Sequence, residues 1–289
     1  MPDPVPSLSA LSDDLSRLAA AVAPSVLRVR AGRDGASGII LRDSLVITAE
    51  EALPEEGPFA VEPADGALMP ATLVGRDAST DVALLRVEGL TREPAAMADD
   101  VPPVGALVLA LGGGGAVAFG IVSASGGPWQ SMRGGAIAAR IELDLALRPE
   151  AEGGPVVDMK GRVLGMAVLG PRGRVLAIPT NTLMRVSDAL ERDGRIPRGY
   201  LGLTLQMVRL DGGEGRGLIV TSVDPDGPGA RAGFVQGDVV VAWDGAAVPD
   251  WRTLRRAFGP GTVGRTLTLA LRRDGAVRDV TVLVAARPD

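Results

Sequence analysis

Four carboxylates in this 289-residue chain lie in sequence contexts that could support catalysis or cation binding. Glu150 and Glu152 come just before a Gly-Gly-Pro turn, Glu51 follows a short apolar run, and Asp81 precedes another. Paired carboxylates can share acid and base roles, and their oxygens are the ligands that hard cations prefer. The chain contains no histidine and no cysteine. Imidazole catalysis, thiolate catalysis, disulfides and thiolate metal sites are therefore excluded.

The segments around these carboxylates carry a series of motifs. In chain order they are VAPSVLRV at 22–29, ASGIIL at 36–41, VITAEEAL at 46–53, DASTDVALL at 77–85, IELD at 141–144 and PEAEGGP at 149–155. Together they resemble the HtrA/Deg family, in which a trypsin-like serine protease is followed by a PDZ domain. The resemblance implies a double β-barrel for this part of the chain.

The resemblance also assigns the catalytic positions. It places Glu51 at the histidine, Asp81 at the aspartate, Glu152 at the serine nucleophile and Glu150 at the oxyanion-hole glycine. A serine nucleophile needs a hydroxyl and an adjacent base, and the oxyanion hole needs a residue that permits positive φ. We therefore predict a degenerate family member, a pseudoprotease that is not an enzyme, in which none of these residues is functional in catalysis.

The same alignment implies that Glu51, Asp81 and Glu152 converge in space. Carboxylates so close repel one another unless they are protonated, paired with arginine or bridged by a cation. We expect that these side chains point apart, with Glu152 either solvated or paired with Arg148, and we expect no cofactor. A Ca²⁺, Mg²⁺ or Mn²⁺ site at the three carboxylates is the less favoured alternative.

Residues 198–287 resemble a PDZ domain. Their motifs are RGYLGL at 198–203, GLIVTSV at 217–223, GPGARAG at 227–233 and QGDVV at 236–240. Successive backbone N–H groups in such a loop bind a C-terminal carboxylate, and an extended peptide adds to the neighbouring strand edge. The resemblance implies a groove helix at 251–258, and the predicted peptide-binding residues are Arg198, Tyr200, Leu201, Gly202, Leu203, Leu254 and Phe258.

The spacing of apolar residues predicts the elements that position these groups. It predicts an N-terminal helix within 1–24 and a linker helix within 181–197. Between them, short apolar runs separated by Gly and Pro turns predict two barrels, spanning about 25–90 and about 100–180. The predicted fold class is mainly β: a trypsin-like double β-barrel plus a C-terminal PDZ domain, a β-sandwich with short helices.

Composition limits which binding partners and which cellular compartment we expect for this chain. The formal net charge of −5 gives no reason to expect nucleic acid. No stretch is apolar for long enough to span a bilayer, and residues 1–23 lack the apolar region of a signal peptide. We expect a cytoplasmic protein if the N terminus is native, and a periplasmic or membrane-associated one if a signal was removed.

The favoured function is a bacterial peptide-binding scaffold, adaptor or chaperone-like module whose PDZ domain captures protein C-termini. The alternatives are a hydrolase or metal-binding protein that uses Glu51, Asp81 and Glu152, and a regulatory partner of an active Deg-like protease. The oligomeric state stays open. HtrA relatives commonly trimerise through aromatic contacts near the N terminus of the protease, whereas residues 1–58 contain no Phe, Trp or Tyr.

Overall fold

The computed structural model describes residues 8–31, 35–210, 215–248, 258–259 and 262–288. The chain divides into two compact units, Met1–Ile196 and Pro197–Asp289. Strands dominate both units, which confirms the predicted mainly β fold class.

The first unit contains a closed barrel built from the N-terminal strands. These strands are β1 (Val26–Ala31), β2 (Gly35–Arg42), β3 (Leu45–Thr48), β4 (Phe59–Glu62), β5 (Met69–Asp77) and β6 (Val82–Arg86). They close in the antiparallel order β1-β2-β3-β6-β5-β4. Val46 of β3 points into this barrel, whereas Ile47 joins a second core outside it, because successive side chains of a strand face opposite sides.

A second barrel follows in the same unit. The strands of this region are β7 (Leu107–Gly112), β8 (Ala116–Gly126), β9 (Trp129–Gln130), β10 (Ala136–Ile137), β11 (Arg140–Asp144), β12 (Pro155–Val157), β13 (Val163–Leu169) and β14 (Val175–Pro179). Among the described residues, six of them close in the order β11-β14-β13-β12-β7-β8, and β9 pairs with β10 as a separate hairpin. Val108, Val156 and Ala167 fill the barrel interior.

Helices α1 (Leu8–Val22) and α2 (Thr180–Asp193) complete the first unit. Helix α2, predicted as a linker, fully buries Leu183, Val186 and Leu190. These side chains share one core with Val22 of α1 and with residues of both barrels. Burying each aliphatic side chain contributes roughly 1.5–3 kcal/mol, so α2 is part of the first unit's core. No helix in the described ranges has both the length and the apolar character needed to cross a bilayer.

The second unit is built on one antiparallel sheet. Its elements are β15 (Gly199–Tyr200), β16 (Leu203–Arg209), β17 (Arg216–Val223), α3 (Pro228–Arg231), β18 (Val239–Trp243), β19 (Ala246–Ala247), β20 (Thr266–Arg273), β21 (Ala276–Leu283) and β22 (Ala285–Ala286). Within the described part, the sheet order is β16-β17-β18-β20-β21, with β19 beside β18 and β15 paired to β22. Leu218, Val240 and Leu269 form the fully buried centre of its core.

A buried ion pair links the start of β18 to the end of β20. The Asp238 carboxylate is 0% exposed and accepts hydrogen bonds from Arg273 Nε at 2.6 Å and from the Val235 N–H at 2.9 Å. Burial by itself would raise the pKa of Asp238, but the hydrogen bonds from Arg273 and Val235 hold that pKa below its ordinary value. Asp238 is therefore ionised in the folded protein.

We predict that Arg273→Met destabilises the second unit by about 3 kcal/mol, because it leaves a buried carboxylate without its cation. Urea denaturation near neutral pH measures the change in the free energy of unfolding. Arg216→Met, at an exposed arginine of the neighbouring strand β17, is the matched control and is expected to stay within about 0.5 kcal/mol of wild type. Equal losses in the two variants would contradict the prediction.

Candidate functional site

The turn between β5 and β6 presents Asp81. The buried Asp77 carboxylate accepts hydrogen bonds from the Ser79 N–H at 3.0 Å, the Ser79 hydroxyl at 2.6 Å and the Thr80 hydroxyl at 2.7 Å. These bonds hold the turn in which Asp81 takes a left-handed φ of 58°. Aspartate tolerates that conformation better than most residues. The turn thus fixes the direction in which the Asp81 side chain leaves the backbone.

Asp81 lies against the segment that follows β3. The Glu51 N–H donates to Asp81 Oδ1 at 2.8 Å, and the Glu50 N–H donates to the Asp81 carbonyl at 3.4 Å. The Glu51 side chain is half exposed, whereas that of Glu50 is largely buried. Glu50, which sequence reasoning did not single out, therefore belongs beside the predicted residues.

Glu152 comes from the second barrel, at the end of a 3₁₀ turn formed by Pro149–Ala151. Its Oε1 accepts a hydrogen bond from the Leu169 N–H at 2.8 Å, and its own N–H donates to the Pro149 carbonyl at 3.1 Å. An oxyanion hole at this position would use the N–H of residue 152, and here the turn occupies that N–H. We call Glu50, Glu51, Asp81 and Glu152 the acidic cluster.

Two arginines contact the acidic cluster. Arg133, in the loop between β9 and β10, lies 3.2 Å from a Glu51 oxygen and 3.7 Å from a Glu50 oxygen. Arg76 of β5 lies 3.6 Å from the other Glu50 oxygen. The positive charges of Arg133 and Arg76 partly neutralise the acidic cluster, which explains how four carboxylates remain close together.

The partner that we predicted for Glu152 lies elsewhere. Arg148 Nη1 is 3.7 Å from Glu150 Oε1, and both side chains are well exposed. The Glu152 carboxylate instead accepts the Leu169 N–H. The physical reason is the 3₁₀ turn at Pro149–Ala151, which leaves the side chains of Arg148 and Glu150 exposed, while the part-buried Glu152 reaches the Leu169 N–H.

The pKa values of the acidic cluster follow from burial and like charge. Burial raises the pKa of Asp81 to about 7, helped by the negative charges of Glu51, Glu152 and Glu50 and opposed by the Glu51 hydrogen bond. Burial also raises the pKa of Glu152, with Glu51 adding to the effect. A carboxyl that titrates near neutral pH can donate a proton, and a neighbouring ionised carboxylate can accept one.

A cation site is the alternative that the sequence predicts for these carboxylates. Among the described residues, no group of three or more acidic side chains has an arrangement that could hold a metal ion. The contacts above account for this, because Arg133 and Arg76 occupy oxygens of Glu51 and Glu50, and a backbone N–H occupies Glu152.

Ser37 of β2 connects the two barrels beneath the acidic cluster. Its hydroxyl donates to the Glu150 carbonyl at 2.7 Å and accepts the Gly113 N–H at 2.8 Å, and its N–H donates to the Glu152 carbonyl at 2.7 Å. The residue is fully buried. Sequence analysis placed Ser37 in a strand motif but did not find this role, which depends on contacts between residues more than 70 positions apart.

In the second unit, the predicted carboxylate-binding loop lies between β15 and β16. The Leu201 carbonyl accepts the Gly229 N–H at 2.6 Å, and the Gly202 carbonyl accepts the Asp224 N–H at 2.8 Å. Gly202 has a φ of 69°, which favours glycine. Within the described ranges, the N–H groups of Leu201 and Gly202 donate no backbone hydrogen bond.

The other predicted peptide-binding residues differ in their surroundings. Leu201 is 3% exposed and packs in the core, so its backbone but not its side chain is available to a peptide. Tyr200 donates its hydroxyl to Asp224 at 2.5 Å. The Phe258 ring packs edge-on against Trp243, with ring centroids 5.6 Å apart. The remaining members are Leu203, which is partly buried beside the core, Arg198, whose carbonyl accepts the Arg287 N–H at 2.9 Å, and Leu254, which lies outside the described residues with most of the predicted groove helix.

The fold and the site define a trypsin-like peptidase unit followed by a PDZ domain. The family model of the trypsin-like peptidase domain matches residues 36–166, and that of the PDZ domain matches residues 199–284. The chain belongs to the HtrA/Deg family. It is 32% identical over 279 residues to a probable periplasmic serine endoprotease, DegP-like, from Brucella suis biovar 1. That alignment covers 88% of this chain and 53% of the relative, so the chain spans about half the length of the curated relatives it matches.

Solved structures show the same architecture. The serine endoprotease from Yersinia pestis is 26% identical, with a TM-score of 0.71 over 99% of this chain and 100% of that one. The HtrA-type protease AlgW with tripeptide is also 26% identical, with a TM-score of 0.66 over 94% of this chain and 97% of that one.

These comparisons contradict our prediction that the chain is not an enzyme. Relatives that are 32% identical are named serine endoproteases, and so is a structural neighbour over the whole chain. The prediction treated loss of the serine and histidine as loss of all hydrolytic chemistry. The residues at those positions are ionisable carboxyls, and Asp81, with a pKa of about 7, is itself an acid–base group near neutral pH.

We predict that Ser37→Ala destabilises the first unit by about 2 kcal/mol, because it leaves the buried Gly113 N–H and Glu150 carbonyl without a partner. The transition of the first unit, followed by Trp129 fluorescence in a variant whose other tryptophans are replaced by phenylalanine, measures the change. Ser16→Ala, on the exposed face of α1, is the control and is expected to cost nothing. A loss in Ser37→Ala no larger than in Ser16→Ala would refute the role given to Ser37.

We predict that Asp81→Asn makes the first unit relatively more stable as the pH rises. The folded-state pKa of Asp81 is raised above its ordinary value of 3.8, so the stability associated with its bound proton is lost as the pH rises through about 7. Asparagine accepts the same Glu51 hydrogen bond and cannot ionise. Unfolding free energies at about pH 5 and pH 8 should show the variant gaining roughly 2 kcal/mol on wild type over that interval. Parallel pH profiles for the two proteins would show that Asp81 is not the titrating group.

Proposed function

We propose that this chain binds the C-terminal ends of peptides and proteins through its PDZ domain, and that it acts as a scaffold, adaptor or chaperone-like module. The observation that carries the proposal is the loop at Leu201 and Gly202. Two successive N–H groups there have no acceptor among the described residues, while the carbonyls of the same residues are already bonded. A C-terminal carboxylate has the oxygens that such a loop lacks.

The strand after the loop supports the same function. Within the described residues, β16 pairs only with β17, so its other edge is open to an added strand. An extended peptide that places its carboxylate at Gly202 can continue along β16 with backbone hydrogen bonds. The HtrA-type protease AlgW, whose structure was solved with a tripeptide, has the same fold over nearly the whole of this chain.

The compartment belongs to the same proposal. Curated relatives from several bacteria are named periplasmic, and we assign this chain to the periplasm on that basis. The lack of cysteine agrees with that compartment as well as with a reducing one.

A second function, hydrolysis of the bound peptide, is favoured by the pKa of Asp81 and by the names of the relatives. In this proposal an ionised carboxylate of the acidic cluster takes a proton from water, which attacks the peptide carbonyl. A protonated carboxyl then donates its proton to the departing amine. Glu152 and Asp81 are the residues that would share these roles.

We predict that Gly202→Ala weakens binding of a labelled C-terminal peptide by about tenfold or more, because a side chain there would meet Gly227 Cα at 2.8 Å and strain the loop. Gly245→Ala is the matched control, since Gly245 also has positive φ but has open space around it. Fluorescence anisotropy with a peptide library, each peptide with a free or an amidated C terminus, measures the loss. Equal affinity for free and amidated peptides would contradict carboxylate recognition.

Casein cleavage by the same preparations tests the second function separately. Cleavage that disappears in both Glu152→Ala and Asp81→Asn is the expected result if the acidic cluster hydrolyses peptides. Cleavage that persists in both variants would assign the activity to another group. Because Gly202→Ala leaves the acidic cluster intact, the peptide-binding and cleavage results can fail independently.

A further inference from the structure

A polar cavity lies beside the loop that carries Glu150 and Glu152. Its volume is about 530 Å³, within the range of small-ligand sites. The cavity is lined by Arg28, Gly113, Gly114, Gly115, Ala116, Val117, Arg148 and Glu150. Two of its three charged residues are arginines, in a chain whose formal net charge is −5. This local reversal of charge indicates an anionic ligand.

Arg28 is held in the cavity by its neighbours. A side chain at Gly114 would meet Arg28 Nη2 at 1.9 Å, so the glycine makes room for the guanidinium. Arg28 Nη1 lies 3.9 Å from Glu62, and the same carboxylate oxygen accepts two hydrogen bonds from Arg30 at 2.9 and 2.6 Å. Glu62 is therefore engaged mainly by Arg30. Arg28 is two-thirds buried and retains donors for another acceptor.

The other side of the cavity already contains a carboxylate. Glu150 Oε1 lies 3.7 Å from Arg148 Nη1, and both residues line the cavity. Because Glu150 is half exposed, its carboxylate can leave Arg148 for solvent at little cost. Glu150 thus shows that a carboxylate fits within reach of Arg148, and it is a built-in competitor for any external one.

We propose that this cavity is a carboxylate-binding site for peptides, in which Arg28 and Arg148 bind an acidic group and Glu150 competes with it. The carboxylate can come from an Asp or Glu side chain or from a chain end, since both offer the planar oxygen pair that a guanidinium binds. The site lies in the first unit and uses none of the residues of the carboxylate-binding loop at Leu201 and Gly202.

The test uses the full chain and three fluorescein-labelled peptides of one sequence. The first has a central Glu and an amidated C terminus, the second has Gln and an amidated C terminus, and the third has Gln and a free C terminus. We expect the Glu peptide to bind about tenfold more tightly than the amidated Gln peptide. That preference should disappear in Arg28→Gln and in Arg148→Gln, whereas Glu150→Gln should strengthen binding about threefold.

Arg17→Gln is the matched control, because Arg17 is an arginine of the first unit that is as exposed as Arg148 but does not line the cavity. Arg148 is 76% exposed, so its variant keeps the test valid even if Arg28→Gln folds poorly. Binding of the third peptide that depends on Arg28 and Arg148 would identify a chain end as the source of the carboxylate. The proposal is overturned if no peptide discriminates on charge, or if the preference for Glu survives in Arg148→Gln.

Discussion

The geometry of the acidic cluster depends on the hydrogen bonds of one buried serine. Ser37 belongs to the first barrel, and its hydroxyl and N–H contact the Glu150 and Glu152 carbonyls of the second. Its own carbonyl accepts the Thr48 hydroxyl at 2.7 Å, just before the segment that carries Glu50 and Glu51. Because buried polar groups must be paired, these bonds leave the two segments few alternative positions. The convergence of carboxylates from two barrels is a consequence of this linkage.

Electrostatic repulsion within the cluster is balanced by a loop that supplies the compensating charge. The Ser131 hydroxyl donates to the Ser79 carbonyl at 2.5 Å, and Arg133 donates to the Ala78 carbonyl at 3.3 Å. These bonds hold Arg133 beside Glu51 and Glu50. Burial of Asp81, with the remaining repulsion from Glu51, Glu152 and Glu50, raises its pKa to about 7, so that protonation relieves part of the repulsion. Shifted pKa values of this kind are concentrated at functional sites, where buried groups of like charge are kept together at a cost in stability.

The sequence was sufficient to predict the double barrel and the PDZ domain, because their motifs are local and strand-length. It also singled out Glu51, Asp81 and Glu152, since each lies within such a motif. It did not reveal the roles of Ser37 and Arg133, because the partners of both residues are distant along the chain. Leu201 shows a different limit of prediction from sequence. A motif identifies a backbone loop, but only packing decides that the Leu201 side chain belongs to the core.

The prediction about catalysis failed for a related reason. Residue types at three aligned positions were taken to decide the chemistry, although chemistry depends on the environment that sets each pKa. Glu150 also shows that the environment of a residue, and not its type alone, decides its role. At an oxyanion position its charge is unfavourable, yet within the arginine-lined cavity that charge is paired with Arg148. The loop from Arg148 to Glu152 therefore contributes to two sites. Arg148 and Glu150 line the arginine-lined cavity, and Glu152, which follows the Pro149–Ala151 turn, belongs to the acidic cluster. Two carboxylates in one short loop therefore have different surroundings, since Glu150 is paired with an arginine and Glu152 accepts a backbone N–H.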